Sequence, residues 1–113
     1  MILDEEKKLL NCTPHPVLIK DRNGHWHYLS PSGITPRVDM KSVEVDDLGP
    51  FSVVEKRKRK VRGLPPVEEG VYLIVSTFVA SVAHNRKDLV VPDNVKRGGD
   101  GQPLYAERLA RLE

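Results

Sequence analysis

The stretch Val71-Tyr72-Leu73-Ile74-Val75-Ser76-Thr77-Phe78-Val79-Ala80-Ser81-Val82-Ala83 decides the fold class. Its first five residues are apolar at both alternations, the pattern of a strand covered on both faces. Ser76 and Thr77 are good N-cap residues, and Phe78, Val79, Val82 and Ala83 then recur at helical spacing. His84-Asn85 closes this short helix, since asparagine tolerates the left-handed geometry of a helix end.

Downstream, Leu89-Val90-Val91 reads as a strand broken at Pro92-Asp93, and Gly98-Gly99-Asp100-Gly101 as a loop or hairpin tip. The tail fits two states: Tyr105, Leu109 and Leu112 match a helix, while Leu104 to Arg108 suit a strand. Upstream, Phe51-Ser52-Val53-Val54 opens a strand that runs into Lys56-Arg57-Lys58-Arg59-Lys60 and Arg62 and ends at Gly63-Leu64-Pro65-Pro66. Before it, Ile34, Pro36, Val38 and Met40 repeat every second residue. They form a strand that Lys41 to Val45 extend, and Pro36 assigns it to a sheet edge. Asp46 to Pro50 turn the chain.

Nearer the N-terminus, Val17-Leu18-Ile19-Lys20 and Trp26-His27-Tyr28-Leu29 flank Asn23-Gly24, the dipeptide of a type I′ hairpin turn. With those two as loop residues, Arg22 faces His25, Lys20 faces His27, and Ile19 faces Tyr28. Val17, Ile19, Trp26 and Tyr28 then form the core face. Asp4 caps a short helix through Leu10, with Glu5 and Glu6 in its first turn, and Asn11 to Pro16 stop it. The expected architecture has residues 1–10 as a short helix or arm and 11–113 as one compact α+β domain. That domain is a mainly antiparallel sheet of six or seven strands carrying one short helix; a small β-barrel-like fold is the alternative.

At 113 residues, 39% apolar and 30% charged, the chain has the size of one domain and is too apolar to read as disordered. Its longest apolar run, Val71–Val75, is five residues against the ~20 that span a bilayer, so no membrane partner is expected. The first residues lack the basic-then-apolar order of a secretory signal. One cysteine excludes an internal disulfide framework. The expected location is the cytoplasm.

Several segments together resemble a family of small, mostly uncharacterised proteins of phages and bacterial mobile elements. They are Asn11-x-Thr13-Pro14-His15, Pro31-Ser32-Gly33 followed by Arg37-Val38, Gly63-Leu64-Pro65, Glu69-Gly70, Ile74-Val75-Ser76, Val79-Ala80, Arg86, Asp88, Pro92 and Val95-x-Arg97 before Asp100-Gly101. The resemblance covers roughly residues 11–108. It implies a mobile-element origin, and for a phage-encoded chain the host cytoplasm, rather than a chemistry. Two departures stand out. Tyr72 lies four residues before Ser76 where the family places its Tyr three before, and the Lys/Arg run belongs to this chain alone.

The net charge of +2 conceals that six of the 18 basic residues fall within Lys56–Arg62. Six cations in seven positions put charge on both sides of a strand, so it must be an edge, a protruding arm or a loop. Such a run either keeps a solvated edge from pairing or meets an anionic partner. Lys56, Arg57, Lys58, Arg59, Lys60 and Arg62 are therefore the candidate nucleic-acid or anion-binding set. With Phe51 the only aromatic nearby, phosphate contact is favoured over base stacking.

A second candidate is the strand-to-helix corner at Ser76 and Thr77, with Arg86, Lys87 and Arg97 as added cations for a nucleotide-like phosphorylated ligand. No glycine-rich loop precedes it. His25 and His27 share a strand face, but Arg22 and Lys20 beside them repel a metal and no carboxylate adjoins, so no metal is expected. Cys12 with His15, Ser32, Asp46-Asp47 and Glu68-Glu69 lack the context of a nucleophile or a carboxylate dyad. The expected protein is a non-enzymatic accessory factor without a cofactor. It binds nucleic acid or an anionic small molecule, or alternatively acts as an inhibitor or adaptor on a host protein; a homo-oligomer is compatible with the sequence.

Overall fold

The computed structural model describes residues 1–3 and 6–113, without the side chain of Arg59. The expected cap at Asp4 and the neighbouring Glu5 lie outside the described residues. In chain order the elements are β1 (Lys8–Asn11), β2 (Val17–Lys20), β3 (Trp26–Leu29), β4 (Arg37–Leu48), β5 (Phe51–Arg62), β6 (Val71–Ile74), α1 (Thr77–Val82), β7 (Leu89–Asp93), β8 (Lys96–Arg97), β9 (Pro103–Tyr105) and β10 (Arg108–Ala110). The fold is β-rich with one short helix.

Among the described residues the strands do not assemble into one antiparallel sheet of six or seven, and no sheet closes into a barrel. A four-stranded sheet of order β1-β6-β7-β10 stands beside three two-stranded ribbons, β2-β3, β4-β5 and β8-β9. Three strands of the central sheet are parallel: β1 with β6 and β6 with β7; only β10 runs against its neighbour. The cause is the helix, which carries the chain back from β6 to start β7 in the same direction, a connection that a hairpin loop cannot make.

Doubly apolar β6 and β7 fill the middle of this sheet. Leu73, Val75, Leu89 and Val91 point to one side and pack with Cys12, Val79 and Ala80; Val38 and Val61 join them there. Ile74 and Val90 point to the other and pack with Leu9, Ile19 and Leu29. The sheet thus lies between α1 and the β2-β3 hairpin, as its pattern requires. Ser76 caps α1 by accepting a hydrogen bond from Val79 N at 3.2 Å, an interaction typically worth ~1 kcal/mol.

Two local expectations change, and the open one at the tail resolves. Lys8–Asn11 is a strand rather than the end of a helix, because its backbone has β6 to pair with. Of the two states that the tail fits, the structure has strand, as β9 and β10 on either side of Ala106-Glu107. In β2-β3, Ile19 faces His27 and Lys20 faces Trp26, a one-residue shift from the expected register. The loop has three residues, Arg22-Asn23-Gly24, and of these Gly24 alone has positive φ, +83°. Asn-Gly here ends a three-residue loop with glycine in the left-handed position, rather than making a two-residue turn. The Asp21 carboxylate holds it, accepting from Asn23 N at 2.8 Å and His25 N at 3.0 Å. The slip turns Trp26 and Tyr28 out of the core and Leu29 in; Trp26 packs edge-on against Tyr105 at 4.8 Å instead.

The β4-β5 ribbon shapes the molecule. Its strands start after Pro36, which stands outside the pairing, and run through Leu48, leaving only Gly49-Pro50 as the turn. Gly49, with φ +59°, supplies the first loop residue of a tight hairpin. Twelve residues at ~3.3 Å each make an arm about 40 Å long. The radius of gyration is 17.2 Å, against about 13 Å for a compact chain of this length.

Candidate functional site

All six basic residues of the run lie on β5 within this arm. Cross-strand partners share a face, so the register sorts the side chains. The inner face, which reaches the core through Val38 and Val61, carries Met40 opposite Lys58 and Ser42 opposite Lys56. The outer face carries Lys41 opposite Arg57 and Arg37 opposite Arg62. A bulge opposite Asp39 absorbs an extra residue of β5 near Lys60.

Among the described residues, carboxylates engage two of these cations. Arg62 Nε donates to Asp39 Oδ2 at 2.6 Å, and Arg57 Nε lies 3.6 Å from Glu55 Oε1, both at exposed positions where such pairs contribute ~1 kcal/mol or less. Lys58 Nζ sits 4.8 Å from the centre of the Phe78 ring, pinning the arm to α1 by a cation–π contact. Among the described residues, Lys56, Lys58 and Lys60 are exposed and make no ion pair. Among the described side chains the basic run is only partly neutralised, and it lies on a projecting arm.

The second candidate set is dispersed. Ser76 Oγ serves the helix cap. Arg86 grips Asp88 with two hydrogen bonds, Nε to Oδ1 at 2.9 Å and Nη2 to Oδ2 at 2.5 Å, and donates Nη1 to Pro65 O at 2.8 Å. The Asp88 bonds hold the guanidinium pKa above its ordinary value. Arg97 donates to Gly101 O at 3.1 Å. Ser76, Thr77, Arg86 and Arg97 share no hydrogen bond with one another, and none lines the cavities of about 560, 340 and 190 Å³. Cys12 is buried beside Ser32, its Sγ 3.7 Å from Oγ, and burial pushes its thiol pKa up, away from the reactive thiolate.

The sequence reading missed one cluster. Asp21 lies between two histidines, 2.7 Å from His27 Nε2 and 3.8 Å from His25 Nδ1, so a carboxylate does adjoin the pair, and Trp26, not His27, faces Lys20. Asp21 and His27 line a cleft of about 560 Å³ floored by Leu9, Ile19 and Leu29. No group of three metal-ligating side chains occurs among the described residues. The spacing Asp21-x3-His25-x-His27 held the signal, but only a three-residue loop brings the ends together.

The hydrogen bond with His27 first, then the backbone bond from His25, lowers the Asp21 pKa from 3.8 to about 2. A depressed carboxylate stabilises the fold above its unfolded pKa and loses that contribution as pH falls through the folded value. The stability difference between wild type and Asp21→Ala is therefore expected to be full above pH ~4 and to shrink steadily toward pH ~2. Urea unfolding of both proteins across that range checks it; a pH-independent difference contradicts the assignment. No protein-family model, curated protein or solved structure matches this chain, so its function has to be read from its own residues.

Proposed function

We propose that this is a non-enzymatic accessory protein, of the phage or mobile-element kind that its motifs resemble, which binds nucleic acid through residues 56–62. The observation that carries the reading is the set of exposed lysines, Lys56, Lys58 and Lys60, on a projecting arm, without carboxylate partners among the described residues. Alternate strand residues stand about 6.8 Å apart, the axial span of two phosphates along one strand. A two-stranded ribbon also fits the width of a duplex major groove. Phosphate contact by lysine positions a protein without reading sequence. Sequence-independent binding is the form these residues favour.

Fluorescence anisotropy on two unrelated 20-base-pair duplexes, over a salt series, tests this. Comparable affinities are expected for both. Log affinity should fall against log salt with a slope of about −3 to −5, since each neutralised phosphate contributes about −0.9. Replacing Lys56, Lys58 and Lys60 together by Glu should abolish the binding while the circular dichroism stays that of wild type. A flat salt response, or no loss in the triple variant, refutes the reading.

A further inference from the structure

The outer half of the arm differs in chemistry from the half that bears the lysines. Residues 44–54 hold Glu44, Asp46 and Asp47 and no cation, whereas residues 37–43 and 55–62 hold eight cations against Asp39 and Glu55. A carboxylate-bearing tip repels phosphate, so nucleic acid does not account for it. The tip is also apolar: Phe51 is 70% and Leu48 63% exposed, and they face each other across the ribbon. The register places Asp46 opposite Val53 and Val43 opposite Glu55 next to them on the outer face, followed by Lys41 opposite Arg57, and turns Glu44 and Asp47 to the inner face. An isolated two-stranded ribbon is marginal in water without a third layer, and α1 packs only toward the arm's base.

We propose that the outer face of the arm docks on the same face of a second copy of this chain, the two arms antiparallel about a two-fold axis near Val43 and Val53. The charge pattern selects this occupant. Reversing one arm over the other brings Asp46 and the apolar tip toward Lys41 and Arg57 of its mate, and a two-fold does so at both ends at once. Phe51 then lies over Arg57 of the second copy, a cation–π arrangement, and Asp46 approaches Lys41 of the second copy. A parallel stack would oppose tip to tip and stem to stem, like charge against like.

Lys56 and Lys58 project from the inner faces, so the pairing leaves them outside on both arms. The contact uses none of the three lysines proposed to meet nucleic acid. One ribbon face, about 40 Å by 10 Å, is small beside the ~800 Å² per partner of a standard interface. The dimer is accordingly weak.

Sedimentation velocity of the nucleic-acid-free full chain between 5 µM and 1 mM tests the pairing. A monomer–dimer equilibrium is expected. Phe51→Glu should raise the dissociation constant at least tenfold without unfolding the body, because the residue is exposed. Asp46→Lys and Lys41→Glu should each weaken the dimer, and the double exchange should restore it. Within one arm these two side chains form no ion pair, so restoration reports contact between copies. A monomer at every concentration, an unchanged constant in Phe51→Glu, or no restoration by the double exchange overturns the proposal; a fourth result, in which Phe51 is protected only when a different protein is added, assigns the tip to that partner and overturns it equally.

Discussion

Replacing Asp88 by alanine is expected to cost about 3–5 kcal/mol of folding stability, the range for breaking a buried pair by removing one member. Asp88 is 8% exposed and receives both arms of the Arg86 fork. Without it the guanidinium stays in a largely enclosed site with only Pro65 O to meet it. The damage spreads, because Arg86 ties the segment that follows the arm to the start of β7, where Asp88 O accepts from Leu73 N. Urea unfolding measures the loss. The double replacement Arg86→Leu with Asp88→Leu should recover much of it, since a paired apolar substitution removes both charges. A loss below 1 kcal/mol in the single variant contradicts the role assigned to the pair.

The second large effect is expected at Asn11, which is 2% exposed and uses its whole amide. Nδ2 donates to His15 O at 2.8 Å and to Leu29 O at 3.0 Å, while Oδ1 accepts from Thr13 N at 3.0 Å and Thr13 Oγ1 at 2.6 Å. Asn11→Ala removes the side-chain bond to the Leu29 carbonyl and frees the Thr13-Pro14-His15 turn. A loss of about 2–4 kcal/mol follows from four lost bonds at about 0.5–1.5 kcal/mol each. Asn11→Asp should be no better, because it presents a carboxylate to two carbonyl oxygens. Thermal and urea unfolding decide; an Asp variant as stable as wild type would show that the donors are dispensable. These bonds also give a physical reason for the Asn-x-Thr-Pro-His spacing.

Where residues report on their own neighbours, the sequence was readable. Val71–Val75, the Ser76 cap, Leu89–Val91 and the strand that carries the basic run appear as expected, since each follows from local pattern. Pairings between distant segments were not readable. β1 is a strand because β6 lies beside it, and nothing within Lys8–Asn11 announces a partner more than 60 residues away. The hairpin register failed for another reason. Asn-Gly serves both two-residue and three-residue loops, and the choice rests with Asp21, whose carboxylate caps the longer one. Charge on both faces correctly marked residues 56–62 as a projecting strand or loop, but the Arg62–Asp39 pair depends on a bulge that no residue of β5 advertises.

Arg37 and Arg62 stand opposite each other where the arm leaves the body. The body meets the ribbon near its root, with Val38 and Val61 as the last pair that packs into the interior and the Lys58–Phe78 contact one pair further out. Matched residues added to or removed from both strands beyond that root would change reach without disturbing the central sheet. Lineages can thus lengthen, shorten or re-decorate this appendage in steps of two residues on each strand, which keep its facing, so its contacts can diverge faster than the scaffold that presents it.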